Sequence, residues 1–173
     1  MHTILSISSP FDSRAERLYN LLSQFRQTLY VDSNKFLSTS DTTHYLILNG
    51  VRPIATQDAH TVLFVAGGEV PIKCPKSVKC AVTCNADERE LYALQRLKLP
   101  VVSCGLSAKD TVSVSSVNKD GVSVSVQRKI RTVNGKIVEP REISVQGTEI
   151  DAQMVACMVA IMLLFDDCDE FIT

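Results

Sequence analysis

Lys79–Ser107, KCAVTCNADERELYALQRLKLPVVSCGLS, reads as one strand–helix–strand unit with turn chemistry at each junction. Cys80–Cys84 is a short apolar run of the kind that parallel sheets bury, and Asn85-Ala86-Asp87 supplies two side chains able to cap a helix. The spacing predicts a helix from Glu88 to Leu97. Leu91, Leu94 and Leu97 share its apolar face with Tyr92 and Ala93 beside them, and Arg89, Glu90, Gln95, Arg96 and Lys98 turn to water. Pro100 blocks continuation, Val101–Cys104 is a second buried strand, and Gly105 allows a sharp turn. Two parallel strands joined by a helix require a right-handed crossover and a covering layer on each face of the sheet. The expected fold class is therefore α/β: a three-layer Rossmann-like arrangement with a mostly parallel sheet flanked by helices.

Upstream, Thr3–Ser8 is a candidate first strand, and Ser9-Pro10-Phe11-Asp12 a loop leading to a helix capped by Asp12 or Ser13, with Ser13 and Glu16 spaced as a capping box. Leu18, Leu21, Leu22, Phe25 and Leu29 then recur at helical spacing. A strand–loop–helix start is where mononucleotide-binding proteins place a phosphate loop, but Ser8–Arg14 contains no glycine and no lysine. What remains for a lone anion is Ser9 and Arg14 near a helix N-terminus, against plain capping. Leu29–Val31 precedes a polar stretch read as a loop, and His44–Leu48 is a strand candidate followed by the turn signal Asn49-Gly50. Thr61–Ala66 is the most hydrophobic strand candidate of this half, closed by Gly67-Gly68. That pair sits where α/β sheets bind ligands, or makes a tight turn. Residues 69–78 are too short for a crossover helix, so either a helix has been abbreviated or the chain turns back along the sheet.

Downstream the period changes to two. Thr111–Val117, Gly121–Ile130 and Lys136–Val145 alternate apolar and polar residues between turns at Asn118–Gly121 and Asn134-Gly135, which predicts a small antiparallel β-meander over about 111–145. Its serines at 113, 115, 123 and 125 belong to the wet face. A closing helix is expected over about 149–165, with Thr148 as N-cap and Asp151 in its first turn. Its apolar run from Met154 to Phe165 is too short to span a membrane. Met154, Met158 and Met162 form a stripe that is core or, alternatively, a partner-binding groove. The acidic end at Asp166, Asp167, Asp169 and Glu170 is read as solvated and fraying, with cation attraction as the alternative.

The 173 residues suit a single domain, 1–173. A net charge of −1 with dispersed charges excludes the electrostatic footprint of a nucleic-acid or anionic-membrane binder. Six cysteines, at 74, 80, 84, 104, 157 and 168, lack any CxxC pair and read as reduced core residues. Cys80 and Cys84 would stand roughly 13 Å apart on an extended strand, which argues against a metal cluster with Cys74. No positively charged leader precedes Ile4–Ser8, so the expected compartment is the cytoplasm.

The order of elements, from strand–loop–helix through the parallel unit and antiparallel ribbon to the Ala-containing apolar helix, resembles the central domain of the Mur ligase family. The likeness is best from Cys80 onward. Asn85-Ala86-Asp87 resembles the family's Asn-x-Asp motif after a central strand, Val101–Lys109 its next strand and Gly-containing turn, Thr111–Val145 its small antiparallel sheet, and Asp151–Leu163 its helix. In that family the domain binds ATP and activates a carboxylate as an acyl phosphate for attack by an amine, and the resemblance implies a place for adenine near Asn85. The chain departs from the family in the missing phosphate loop and its lysine, the missing Asp-His motif after Thr61–Ala66, and the shortened segment 69–78. Phosphoryl transfer depends on positioning and charge neutralisation, so these departures lead to the expectation of a Mur-like domain without ligase chemistry.

Three functions follow. The first is a non-catalytic binding or assembly domain with a protein partner or a second copy, and no cofactor. The second is a nucleotide or small-anion binder, taking ATP or ADP at Asn85, Asp87, Gly67, Gly68, Gly105, Ser9 and Arg14. The third is a small cytoplasmic enzyme using Cys104 or Cys84 as nucleophile, for which His2, His44 and His60 are the only histidines.

Overall fold

The computed structural model describes residues 1–8, 12–38, 43–50, 60–147 and 151–168. Strand β1 (His2–Ser8) leads through helix α1 (Arg14–Leu22) to β2 (Thr28–Val31), β3 (Phe36–Ser38) and β4 (Tyr45–Asn49). β5 (Thr61–Ala66) is followed by β6 (Val78–Cys84), α2 (Glu88–Arg96) and β7 (Val101–Gly105). The remainder comprises β8 (Val112–Asn118), β9 (Gly121–Val126), β10 (Ile130–Arg131), β11 (Ile137–Val138), β12 (Arg141–Gln146) and α3 (Ala152–Leu164).

Ten of these strands make one sheet in the order β12-β9-β8-β7-β6-β5-β1-β4-β2-β3, while β10 and β11 pair separately. From β8 to β2 every neighbouring pair is parallel, and the antiparallel pairs lie at the margins, β2 with β3, β8 with β9 and β9 with β12. The expected α/β class holds. The meander, however, does not stand apart: β8 pairs with β7 through Cys104↔Val112 and Gly105↔Ser113, so β8, β9 and β12 extend the main sheet. Ser113 is consequently buried, its hydroxyl accepting a bond from Gln127 Nε2 (2.9 Å), whereas Ser115 faces water at a register shift between Val114 and Ser116, and Ser123 and Ser125 are half-buried.

The larger core lies between the sheet and the pair α1/α3. All of α3 from Met154 on is buried, which explains why its sequence is apolar on every side and why the methionine stripe is core. Its cap is Asp151, whose carboxylate accepts the amide of Met154 (3.3 Å). Thr148, the expected cap, lies outside the described residues. A smaller core covers the opposite face, where Leu94 of α2 and Val70 and Cys74 of the 67–77 connection pack on Leu5, Leu63, Val65, Val78 and Ala81. β5 and β6 are parallel neighbours. The connection is therefore a helix-free strap that carries the chain back over the sheet to start β6 parallel to β5. Leu91 and Tyr92, expected on the apolar face of α2, are exposed because the helix turns Leu94, with Leu97 at its end, onto the sheet instead.

Two local readings change at α1. The helix ends at Leu22 in a tight turn in which the amides of Phe25 and Arg26 both bond to the Leu22 carbonyl. Leu29 falls instead on β2, where Thr28 and Tyr30 face inward. Ser13 makes no side-chain cap; Asp12 Oδ1 accepts the Arg14 amide (2.8 Å), and Glu16 pairs with Lys35 (2.8 Å). At the far end Asp166 and Asp167 are tied down. Asp166 takes bonds from Asn134 (3.0 Å) and Thr132 (3.4 Å), and Asp167 from Arg26 and Tyr45. Asp169 and Glu170 lie outside the described residues. Asp166 and Asp167, expected to fray, are anchored because their carboxylates meet donors from distant elements.

Candidate functional site

The carboxyl ends of β1, β5, β6 and β7 bring most of the expected residues to one edge of the sheet. Arg14 opens α1 and turns back on Asp12, which it meets through Nε (3.0 and 2.8 Å) and Nη2 (2.5 Å). Its Nη1 reaches the Cys84 carbonyl at the end of β6 (3.2 Å). The guanidinium lies over Gly67, where φ is 75°, and a Cβ at that position would run into Nη2. Gly68 is pressed against Ile7 and the Ser8 backbone, so a Cβ there would stand 2.7 Å from the Ile7 side chain. Both glycines thus serve close packing of the protein on itself. The hydrogen bonds of Arg14 hold the Asp12 carboxyl below its usual range, and Asp12 in turn raises Arg14.

Asn85 follows β6 in the left-handed region (φ 52°), its amide bonded to the Cys104 carbonyl (3.0 Å) and its Nδ2 to Gln153 Oε1 at the start of α3 (2.5 Å). Gly105 makes room for it. A Cβ there would sit 3.1 Å from Asn85 Oδ1 and 2.5 Å from Asp110 Oδ2. Asp87 stands apart: it is the N-cap of α2, accepting the Glu90 amide (2.8 Å), and does not line the crevice. Ser9 lies outside the described residues. The crevice measures about 400 Å³ and is lined chiefly by Asp12, Arg14, Arg17, Asn85, Asp151 and Gln153. Its charges cancel in pairs, Arg14 with Asp12 and Arg17 with Asp151 (2.8 Å).

On the other side of Asp12 and Ser13 lies a cavity of about 480 Å³ that the sequence reading missed. A chain of hydrogen bonds runs along it from Ser8 Oγ to Asn49 Oδ1 (2.9 Å), from Asn49 Nδ2 to the Tyr30 hydroxyl (3.0 Å), and from that hydroxyl to Asp32 (2.9 Å). Burial and the Asp32 carboxylate push Tyr30 up to about 12. Only parallel pairing of β2, β4 and β1 brings these residues together, so no local pattern announces them.

Cys84 and Cys104 are buried, and the thiol of Cys84 is pushed well up by its hydrogen bond with Cys157 and by burial. The thiolate is the nucleophile, so this environment works against covalent chemistry at Cys84. All six cysteines are free thiols. Among the described residues no three histidine, cysteine, aspartate or glutamate side chains are placed to hold a metal ion.

No protein-family model and no curated protein matches the chain. Solved structures do. A MurF ligase from Thermotoga maritima in complex with ADP superposes with a TM-score of 0.55 at 15% identity over 98% of this chain. The fold is Mur-ligase-like. A MurF from Acinetobacter baumannii gives 0.51 at 12% identity over 96% of the chain. A UDP-N-acetylmuramoyl-L-alanyl-D-glutamate–2,6-diaminopimelate ligase gives 0.52 at 8% identity over 97%. The chain spans less than half of these proteins, 47%, 43% and 43% of their lengths. The Mur-like likeness extends over nearly the whole chain, including the first half, where the sequence resemblance rested on element order alone. No described helix is long and apolar enough to cross a membrane.

Proposed function

We propose that this chain is a Mur-ligase-like domain with a binding or assembly role in a cytoplasmic setting, in which ligase chemistry has been lost. The observation that carries the reading is the Asp12 carboxylate on the first amide of α1, locked there by Arg14. A helix N-terminus at the end of a parallel strand holds a phosphate through free amides and positive potential. Here a carboxylate already sits on that helix start and neutralises the nearest cation. A triphosphate approaching α1 meets negative charge, so the residues present do not fit the phosphates of ATP. The absence of glycine and lysine from Ser8–Arg14 agrees with this. The partner in this reading is a protein or a second copy of the chain.

The test is ATP hydrolysis with magnesium by the purified protein against a heat-inactivated control. Equal rates are expected, and turnover above the control would overturn the reading.

A second reading keeps the adenine side alone, favoured by the accessible Asn85 amide facing a 400 Å³ crevice beside Gly105. Calorimetry with ATP and ADP, with and without magnesium, decides between the two. Binding abolished by Asn85→Ala supports a nucleotide binder, and no heat with either protein supports the first reading. A thermal-shift screen is an independent check, since a ligand at 100 times its dissociation constant adds about 2.7 kcal/mol.

A further inference from the structure

The three histidines of the chain, distant in sequence, meet at the amino edge of the sheet, opposite the crevice. His2 begins β1, His44 precedes β4, and His60 precedes β5. The strand order β5-β1-β4 makes them neighbours. The backbone joins them, with the His2 amide bonded to the His44 carbonyl (2.7 Å) and the Thr3 amide to the His60 carbonyl (3.3 Å). The His2 ring stacks on Phe165 after the last turn of α3 (centroids 4.4 Å) and meets His44 edge-on (5.1 Å). Asp167, two residues further on, accepts bonds from Arg26 (2.7 Å) and the Tyr45 hydroxyl (2.7 Å). His44 Nε2 lies 3.1 Å from Asp167 Oδ2 but outside hydrogen-bond geometry. Among the described residues, His2 Nδ1 and His60 Nδ1 are likewise buried without a hydrogen-bond partner.

An unpartnered imidazole nitrogen is tolerable while it is a bare lone pair, but a proton placed on it becomes a buried, unsatisfied charged donor. We propose that His2 is the acid-sensitive member of a clasp: its uncharged ring, stacked on Phe165 beside Asp167, holds the end of α3 against the amino ends of β1 and β4, and protonation of His2 releases that end. Among the described residues, the charged and titratable groups facing His2 are His44 and Tyr45 beside β1 on the β4 side, His60 on the β5 side, Asp167 beyond α3, and the chain's amino group. Arg26, at the exit of α1, already neutralises Asp167. Asp167 favours a proton on His2, but burial of the ring outweighs that pull. Burial, followed by the His44 charge, brings His2 from 6.5 down to about 4. Between those values the unfolded chain carries a proton that the folded one refuses. The contribution to stability is complete above pH 6.5 and is lost as the pH falls toward 4.

Histidine-labelled NMR of the intact protein from pH 7.5 to 4 is expected to show one imidazole still neutral below pH 5.5, and three rings titrating near 6.5 would overturn the proposal. Hydrogen exchange, corrected for intrinsic rate, should show residues 158–168 losing protection on acidification before β5, β6 and β7 do. Uniform loss across the chain would overturn it. His2→Phe keeps the stacking on Phe165 and removes the proton acceptor. In urea titrations the wild-type folding constant should fall by about tenfold or more between pH 6.5 and 4.5 through this group, and the variant should fall by less. An unchanged dependence in the variant would contradict the assignment to His2, and the NMR measurement holds even if the variant folds poorly.

Discussion

Arg14 spends its charge inside the molecule. It closes on Asp12, bridges to the Cys84 carbonyl and lies over Gly67, so one side chain ties the start of α1 to the ends of β5 and β6. Both members of the pair are largely buried, with 27% and 19% of their side-chain surface exposed. Removing one partner leaves the other desolvated and unpaired, so Arg14→Ala is expected to destabilise by about 1–3 kcal/mol in urea titrations. The Asp12→Ala/Arg14→Ala double variant should lose less than the sum of the singles, because the stranded charge is gone. Asp12 also sets a pH window. Its carboxyl is depressed below 3.8, so its contribution is present above that value and fades as the pH falls further, below the window of His2. The role of Arg14 was half legible. Its place at a helix start and its pairing with Asp12 lie within Ser8–Arg14, whereas its bond to the Cys84 carbonyl and its contact with Gly67 depend on strand ends 70 and 53 residues further along the chain.

At the scale of elements, α2 and α3 are held in opposite ways. α2 buries Leu94 alone, so the Asp87 cap is a large part of what keeps it helical. Asp87→Ala should cost about 1 kcal/mol and appear in hydrogen exchange as fraying confined to 88–96. α3 has little capping to lose and much packing. Met158→Ala opens a cavity in a fully buried helix, and a global loss of about 2–5 kcal/mol in urea titrations is expected. The Asn85–Asp87 cap and the apolar α3 were legible because capping chemistry and all-round hydrophobicity are local signals. α1 was drawn too long because Phe25 and Leu29 fall by coincidence on the helical period. The turn after Leu22 and the pairing of β2 with β4 override that period.

For the whole molecule, one core runs from Ile4 in β1 through β8, β9 and β12 to Cys168, so the sheet extension is not a separate unit. Unfolding should be a single cooperative transition, with tyrosine fluorescence and far-UV circular dichroism coinciding; the chain has no tryptophan to complicate the comparison. Two separated transitions would mean that residues 112–146 fold on their own. The opposite face is covered thinly by α2 and the helix-free strap.

The amino-acid sequence by itself determined the class of the fold, the central strand–helix–strand unit, the buried closing helix, and the absence of glycine and lysine from Ser8–Arg14. Each of these rests on neighbours within a few residues: a period, a cap, a turn, or a missing glycine and lysine. Only the tertiary structure decided that Asp12 occupies the α1 terminus under Arg14, that Ser8, Asn49, Tyr30 and Asp32 form one chain of hydrogen bonds, and that His2 and His44 meet beside Phe165 and Asp167. Parallel strands bring together residues whose separation along the chain is set by the crossovers between them, and no local pattern records which ends will become neighbours.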